Sequence, residues 1–263
     1  MERSIPFRII VTSDSHIGKK PERISVFRRT MISMLSEKPD LIIHCGDITH
    51  NGTWTEMDEA ANVFNLATQN GVPIVLGPGN HDHQGYIWSQ SREYFENKGI
   101  IVLDGNVYSL KKGKRVLEIT GVEGYGESYD QKMPATHYFD RVSQPNSTIT
   151  DDDLERLTTG LSLLRGDINL VELHFNPGVE GTLKGEKEKY YPFFGSRRFA
   201  SLVDEHNENS QYKVGAIVHG HADHGSHEGV TPGGIPVYNV SMYVLEKYVP
   251  HNEAPKLYRI IEI

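Results

Sequence analysis

Short apolar runs alternate with helix-like segments over the first hundred residues, and no other feature limits the fold of this chain as much. Three β-branched runs at 7–11, 41–45 and 72–76 are each followed by residues whose apolar positions recur with a helical period, the third time more weakly, at 87–98. A fourth strand is predicted at 100–103. Strands that alternate with helices of about 10–15 residues form βαβ units with a largely parallel sheet, so we expect an α/β fold.

The rest of the chain is less regular. Residues 123–150 and 175–194 lack a clear period and predict long loops. The other predicted elements are strands at 107–110, 115–120, 170–173, 214–218, 235–240 and 257–263, a helix opened by Asp151–Asp153 that runs to about Arg165, and a helix at 197–206. Because neither an internal repeat nor a linker is evident, we expect a single domain over residues 1–263.

Polar side chains of a few types stand directly after five of the predicted strands. Asp14, Asp47 and Asn80 follow the first three strands at intervals of 33 residues. The complete set is Asp14, His16, Asp47, Asn80, His174, His221 and Asp223. Loops at the carboxyl ends of strands converge in α/β sheets, so we expect these groups to meet at one edge. A helix cap or a turn would explain any one of the first three, but not three histidines in equivalent loops.

The chemistry of this set indicates a metal centre. Carboxylates, imidazoles and a side-chain amide, without a thiolate, suit a hard or borderline divalent ion. Seven ligands are too many for one tetrahedral ion and fit two ions with open positions. One carboxylate must then bridge the pair, and Asp47, which follows the central strand, is the natural choice. Such a site acidifies bound water and holds the oxygens of an in-line displacement at phosphorus.

The order of these motifs resembles that of the calcineurin-like metallophosphoesterases. The residues that carry the resemblance are Asp14 and His16, Gly46-Asp47, Gly79-Asn80-His81-Asp82, the lone His174 and Gly220-His221. The segment from His174 to Val240 is also similar to a prokaryotic branch, the Icc-like predicted phosphoesterases. The resemblance spans most of the chain and implies a four-layer αββα sandwich, with two mixed sheets face to face and helices outside.

The resemblance also implies a role for each residue. Asp14, His16, Asp47 and the residue at 223 would hold one metal. Asp47, Asn80, His174 and His221 would hold the other, and a hydroxide bridging the two ions would attack phosphorus. His81 would face the substrate as a catalytic residue, where it would stabilise developing charge or protonate the leaving oxygen.

Position 223 departs from the family pattern, which usually has histidine there. Either the first metal is lost or weakened, or Asp223 ligates it; use of His224 instead would need a local change of the backbone. With Asp223, three carboxylates and one histidine form an oxygen-rich set that favours Mn or Fe, with Zn or Ni as alternatives. The site also carries one positive charge less than with histidine, which favours monoanionic diesters over dianionic monoesters.

Position 50 is a second departure. Many relatives have aspartate there, paired with the histidine equivalent to His81, whereas this chain has His50. An imidazole cannot serve as a carboxylate partner, so the sequence leaves open what orients His81.

Two of the long segments suggest substrate contacts. The 175–194 segment follows His174 and carries Lys184 and Tyr191, which as a lid would bind phosphate and a base or apolar group. A solvated loop with an aromatic plug is the equal alternative. Arg197 could meet a second phosphate or lie at the surface, and the 123–150 segment offers Tyr125 and Tyr129 in the same way.

Composition narrows the partners. The 263 residues include 27 basic and 35 acidic side chains, a formal charge of -8, which argues against sequence-blind binding to nucleic acid. No apolar run approaches the length of a membrane helix, and the start lacks the pattern of a secretory signal. With a single cysteine, Cys45, no internal disulfide can form, so we expect a cytoplasmic protein.

The function that we expect from the residues and the resemblance is a metal-dependent phosphoester hydrolase, first a phosphodiesterase on nucleotide-like small molecules. A phosphomonoesterase or a pyrophosphatase on nucleotide conjugates is the alternative within the same chemistry. A non-catalytic binding scaffold on this fold is the alternative class, against which the presence of His81 argues. The sequence identifies neither the substrate nor the oligomeric state.

Overall fold

The computed structural model describes residues 5–85, 88–124, 147–248 and 256–263. The strands of this part are β1 Arg8–Thr12, β2 Leu41–Cys45, β3 Ile74–Gly77, β4 Ile101–Val102, β5 Val107–Lys112, β6 Arg115–Val122, β7 Ile168–Leu173, β8 Val214–His219, β9 Glu228–Val230, β10 Pro236–Asn239 and β11 Arg259–Glu262. The helices are α1 Arg23–Ser36, α2 Trp54–Gln69, α3 Trp88–Asn97, α4 Ser147–Leu163, α5 Glu180–Leu183, α6 Arg197–Asn209 and α7 Met242–Leu245, with 3-10 helices at Glu188–Phe193 and Glu246–Tyr248.

The strands form two mixed sheets. The first has the order β11-β1-β2-β3-β4, in which β1 to β4 are parallel and β11 is antiparallel to β1. The second has the order β5-β6-β7-β8-β10-β9, in which the inner four strands are parallel and both edge strands are antiparallel to their neighbours. Each sheet therefore has a parallel core, and the carboxyl ends of its inner strands lie together at one end.

Alternate residues of the strands serve two different cores, as the period of two in a strand requires. On β2, Leu41 and Ile43 belong to a buried cluster that also contains Leu117 and Leu170 of the second sheet. Ile42 between them belongs to the cluster formed with α1, α2 and α3. A third cluster joins the outer face of the second sheet to α4 and α6. This arrangement confirms the predicted four-layer sandwich.

A capped helix fixes the loop that follows β2. Thr53 caps α2 by accepting a hydrogen bond from the backbone N–H of Glu56, and the Glu56 carboxylate accepts from the backbone of Thr53 in return. The same carboxylate accepts hydrogen bonds from the backbone and side-chain amides of Asn51 at 2.9 and 2.7 Å. The loop between β2 and α2, which carries the polar residues after the strand, is thus held at its far end.

Several predicted boundaries are wrong. Helix α4 begins at Ser147 rather than at Asp151, so Asp151–Asp153 lie in its second turn instead of at its amino terminus, and residues 147–150 are helical rather than loop. The 175–194 segment contains α5 and a 3-10 helix. Strand β9 was not predicted, because its three residues are too few to show a period. Tyr125 and Tyr129 lie outside the described residues.

Within the described part, no helix combines the length and apolar character that a membrane span requires.

Candidate metal centre

Two groups of ligand atoms meet at the carboxyl ends of the strands and share one residue. Asp14, His16 and Asp47 form one group, and Asp47, His174 and His221 form the other; within each group the ligand atoms lie within 4.8 Å of one another. Asp47 Oδ2 is 3.6 Å from His16 Nε2, and its Oδ1 is 3.4 Å from His174 Nε2. The two oxygens of Asp47 thus face different groups, as a bridging carboxylate requires.

Asn80 belongs to the second group. Its Oδ1 lies 3.1 Å from His174 Nε2, so the amide oxygen and the imidazole nitrogen are directed at the same point. Asn80 and Asp47 come from the first sheet, whereas His174 follows β7 and His221 follows β8 of the second. The candidate centre therefore lies across the ends of both sheets.

Burial sets the charge states of these groups. Asp14, His16 and Asp47 are at most 3% exposed. Burial, followed by the charge of Asp223, raises the pKa of Asp14, and burial, followed by Asp14 and Asp82, raises that of Asp47. Burial also lowers the pKa of His16 and of His174, so both imidazoles are neutral and able to ligate. Clustered buried carboxylates are costly unless cations neutralise them, and neutral imidazoles beside them are the usual partners of a divalent ion.

The backbone is strained at the same residues. Asp14, His16, Asp47 and His221 have positive φ angles of 61°, 45°, 50° and 64°. Among the described residues other than glycine, only Lys38 shares this conformation. Each such residue costs about 1–2 kcal/mol, and strain of this kind concentrates where function needs a particular side-chain direction.

Backbone carbonyls select the free nitrogen of two histidines. A carbonyl can only accept, so the Nδ1–H of His174 donates to the Cys45 carbonyl at 2.8 Å and leaves Nε2 for a metal. In His221 the Nε2–H donates to the Phe193 carbonyl at 3.1 Å and leaves Nδ1 free. Carbonyl partners of this kind orient metal-binding histidines.

Gly79 permits the close approach of the two loops. A Cβ at this position would lie 2.3 Å from both the backbone nitrogen and Oδ1 of Asp47. The buried carboxylate of Asp82 holds the same loops together, since it accepts hydrogen bonds from the backbone of Ile48, Thr49 and Gly79 and from the Thr49 hydroxyl. Sequence reasoning assigned no role to Asp82, although its place in the Gly-Asn-His-Asp motif is a signal.

A family model for the calcineurin-like phosphoesterases matches residues 7–224. The chain belongs to this family. In this member of the family, Asp47 belongs to both ligand groups at the carboxyl ends of the strands.

Similar sequences are named as phosphodiesterases. A probable cyclic nucleotide phosphodiesterase of Synechococcus sp. is 31% identical over 87 residues, which cover 29% of this chain and 33% of that protein. A probable glycerophosphodiester phosphodiesterase of Arcobacter nitrofigilis is 32% identical over 95 residues, covering 33% of this chain and 34% of that protein. The matches thus span about a third of the length of these curated relatives.

Solved structures share the fold at low identity. The phosphopantetheinyl hydrolase of Mycobacterium tuberculosis superposes with a TM-score of 0.67 at 14% identity and covers 98% of this chain and 97% of that one. A dimetal phosphatase of Danio rerio gives a TM-score of 0.56 at 13% identity, covering 90% of this chain and 87% of that one. At this identity the likeness concerns the fold alone, and it agrees with the four-layer sandwich.

His50 orients His81 through its backbone carbonyl and its ring, two contacts that the sequence did not predict. The Nδ1–H of His81 donates to the backbone carbonyl of His50 at 2.8 Å, and the two rings stack with centroids 4.8 Å apart at 17°. His50 Nδ1 also lies 3.4 Å from Nδ1 of His16. His81 Nε2 is left 4.0 Å from Asp47 Oδ2, directed at the centre. The missing aspartate of the family is thus replaced by a carbonyl and a ring.

Asp223 lies at the first group. Its charge contributes to the raised pKa of Asp14, and its Oδ1 accepts a 2.6 Å hydrogen bond from the Ser241 hydroxyl. His224 is exposed, and its backbone N–H donates to Glu186. The choice of Asp223 over His224 as the last ligand stays a prediction, and the Ser241 hydroxyl that bonds Asp223 is a contact that sequence reasoning missed.

The three predicted substrate residues lie on the segments beside the centre. Lys184 is exposed, and the Tyr191 hydroxyl donates to the Leu183 carbonyl at 3.5 Å. Arg197 is paired at the surface with Glu180. The 175–194 segment meets the centre instead through Phe193, whose carbonyl accepts from His221. The binding roles of Lys184, Tyr191 and Arg197 stay predictions.

Proposed function

We propose that this protein is a phosphodiesterase that uses two divalent metal ions to hydrolyse small, nucleotide-like phosphodiesters. The observation that carries the proposal is the pair of ligand groups that share Asp47. The family and the names of its sequence relatives support phosphoester hydrolysis.

The residues present fit two such ions. One would be held by Asp14, His16, Asp47 and Asp223, and the other by Asp47, Asn80, His174 and His221. Bound there, two divalent ions supply a Lewis acid for the phosphoryl oxygens and acidify water at neutral pH. Because the first set is rich in oxygen, we propose Mn or Fe as its native occupant rather than Zn or Ni.

His81 acts on the substrate in this proposal. The His50 carbonyl accepts the proton on Nδ1 of His81, and Nε2 lies 4.0 Å from Asp47 Oδ2 at the centre. When Nε2 also carries a proton, His81 can from this position stabilise negative charge on a phosphoryl oxygen or protonate the leaving oxygen. Its contact with the ring of His50 keeps the imidazole from rotating away.

The charge of the site favours diesters over monoesters. Asp14, Asp47 and Asp223 bring three negative charges to two divalent ions, one more than the usual histidine at position 223 would leave. A less positive site attracts a dianionic monoester less strongly, while a monoanionic diester is affected less. The rate of diester hydrolysis therefore rises relative to that of monoester hydrolysis.

The test is hydrolysis of bis-p-nitrophenyl phosphate and of p-nitrophenyl phosphate by protein stripped of metal and refilled with Mn, Fe, Zn, Ni or Mg. We expect turnover that depends on metal, is higher for the diester and is lost in Asp47→Asn. The conservative Asp167→Asn, on the loop before β7, serves as the control. Two bound metals without turnover of either ester would contradict the proposed substrate class, and failure to bind metal would favour a binding scaffold.

A further inference from the structure

A lysine stands at the edge of the candidate metal centre, on the loop between β1 and α1. Its backbone N–H donates to the carbonyl of His16 at 3.1 Å, which closes a turn and places Lys19 beside that residue. Arg23 braces the loop, since its Nε donates to the Ser15 carbonyl at 2.7 Å and its Nη2 to the Asp14 carbonyl at 2.8 Å. The loop is therefore fixed from the first strand to the start of α1.

Tyr243 forms a wall next to this lysine. Its ring centroid is 6.0 Å from that of His16, and the Lys19 ammonium lies 4.7 Å from it. The Arg23 guanidinium lies 4.8 Å from the same centroid. Two cations on one aromatic ring hold the ring in place. The backbone N–H of Tyr243 donates to the hydroxyl of Ser241, which also bonds Asp223, so the wall and the first ligand group share a support.

Among the described residues, Lys19 forms no ion pair with a carboxylate. In the described parts of the chain its side chain is exposed, and its ammonium meets only the ring of Tyr243, with neither an ion pair nor a hydrogen bond. The positive charge of Lys19 nevertheless affects the pKa values of two residues at the centre. Burial is the main cause of the low pKa of His16 and of the raised pKa of Asp223, and the positive charge of Lys19 lowers both. An ammonium held in this place is available to an anion.

We propose that Lys19, beside Tyr243, forms a subsite for a second phosphate group of the substrate, next to the phosphodiester that is cleaved. The proposal rests on the proposed function and narrows its substrate class to nucleotide-like diesters that carry a further phosphate. An aspartate at position 223 makes the site one unit more negative than a histidine ligand would. The positive charge of Lys19 at the edge of the candidate metal centre compensates for this difference. The metal centre then has the weaker field suited to a diester, while the second phosphate is recognised separately.

Two chromogenic diesters that differ by one phosphate test the subsite. These are thymidine 5'-(p-nitrophenyl phosphate) and the same compound with a 3'-phosphate. We expect the metal-loaded protein to favour the second in kcat/KM. In Lys19→Met this preference should fall by about fivefold, or about 1 kcal/mol, the upper range for an exposed ion pair. Lys19→Arg should retain most of it.

The neighbouring lysine provides the matched control. Lys20 is also exposed and one residue further along the same loop, so Lys20→Met removes the same charge from a position for which no contact with Tyr243 is found among the described residues. The control should keep the preference. An unchanged preference in Lys19→Met, or an equal loss in Lys20→Met, would overturn the subsite.

Binding of thymidine 3',5'-bisphosphate and of thymidine 5'-monophosphate, measured by calorimetry on the metal-loaded protein, separates this inference from the proposed function. Tighter binding of the bisphosphate that depends on Lys19 supports the subsite even if neither ester is turned over, an outcome that would count against the hydrolase alone. Equal affinity of the parent protein and Lys19→Met for the bisphosphate would overturn the subsite whatever the turnover.

Discussion

Replacing Glu172 with glutamine should stabilise the protein at neutral pH. Glu172 is fully buried on β7 between the two sheets, and the Cys45 thiol, a weak donor, is its side-chain hydrogen-bond partner. Gly77 and Gly121 leave the space that its side chain fills, since a Cβ at Gly77 would lie 2.2 Å from Oε2. Burial therefore raises the pKa of Glu172 well above its ordinary value of 4.5.

The sign and size of the effect follow from that shift. Above pH 4.5 the unfolded chain releases the proton of Glu172 while the folded protein keeps it, so stability falls as the pH rises towards the pKa of the folded state. The slope is about 1.4 kcal/mol per pH unit. Glutamine carries no such proton. The variant should therefore gain about 1.4 kcal/mol on the parent, or about 3–6 °C in Tm for a chain of this size, for each pH unit between 4.5 and the pKa of the folded state.

Thermal and urea unfolding of both metal-loaded proteins between pH 4.5 and 8 measure the difference in their free energies of unfolding. The contribution of the bound metal is the same in both proteins and cancels in this difference. Glu118 on β6 is the matched control, because it is almost as buried but accepts hydrogen bonds from the backbone of Arg165 and Gly166 and from Ser109. Glu118→Gln should lose about 1–2 kcal/mol at neutral pH. Parallel pH profiles of Glu172→Gln and the parent would refute the reasoning.

Three further predictions concern the metal centre. Gly79→Ala should lower the bound metal at least about tenfold, because the new Cβ displaces Asp47; metal content after dialysis measures it, and full retention would contradict the bridging position. Asp223→His should move the metal preference towards Zn and raise monoester turnover relative to diester turnover, and an unchanged metal preference would remove Asp223 from the ligand set. His50→Phe should keep most of kcat and His50→Ala should lose about fivefold, since stacking on His81 is worth about 1 kcal/mol; equal kcat values would exclude that role.

The sequence was sufficient for the parts of the fold that depend on local periods. The strand pattern predicted an α/β fold with parallel strands, the resemblance to the family implied the four-layer sandwich, and residues placed directly after strands, such as Asp47 and His174, predicted the ligand groups. What it could not predict rests on contacts between distant residues. The carbonyl of Phe193 that orients His221, and the hydroxyl of Ser241 that bonds Asp223, follow from the tertiary fold and leave no period in the chain. The start of α4 was misplaced because charge near a helix end is a weaker signal than the backbone hydrogen bonds of its first turn.

The position of the ligand groups across both sheets has a consequence for how the protein would respond to metal shortage. In the second group, Asp47 and Asn80 come from one sheet and His174 and His221 from the other, so the ion held there would tie the two sheets together. Binding at 100 times the dissociation constant stabilises a fold by about 2.7 kcal/mol per ion. A cell that lacks the metal would therefore lose the protein to unfolding and proteolysis as well as its activity, and abundance itself would report the supply of the ion.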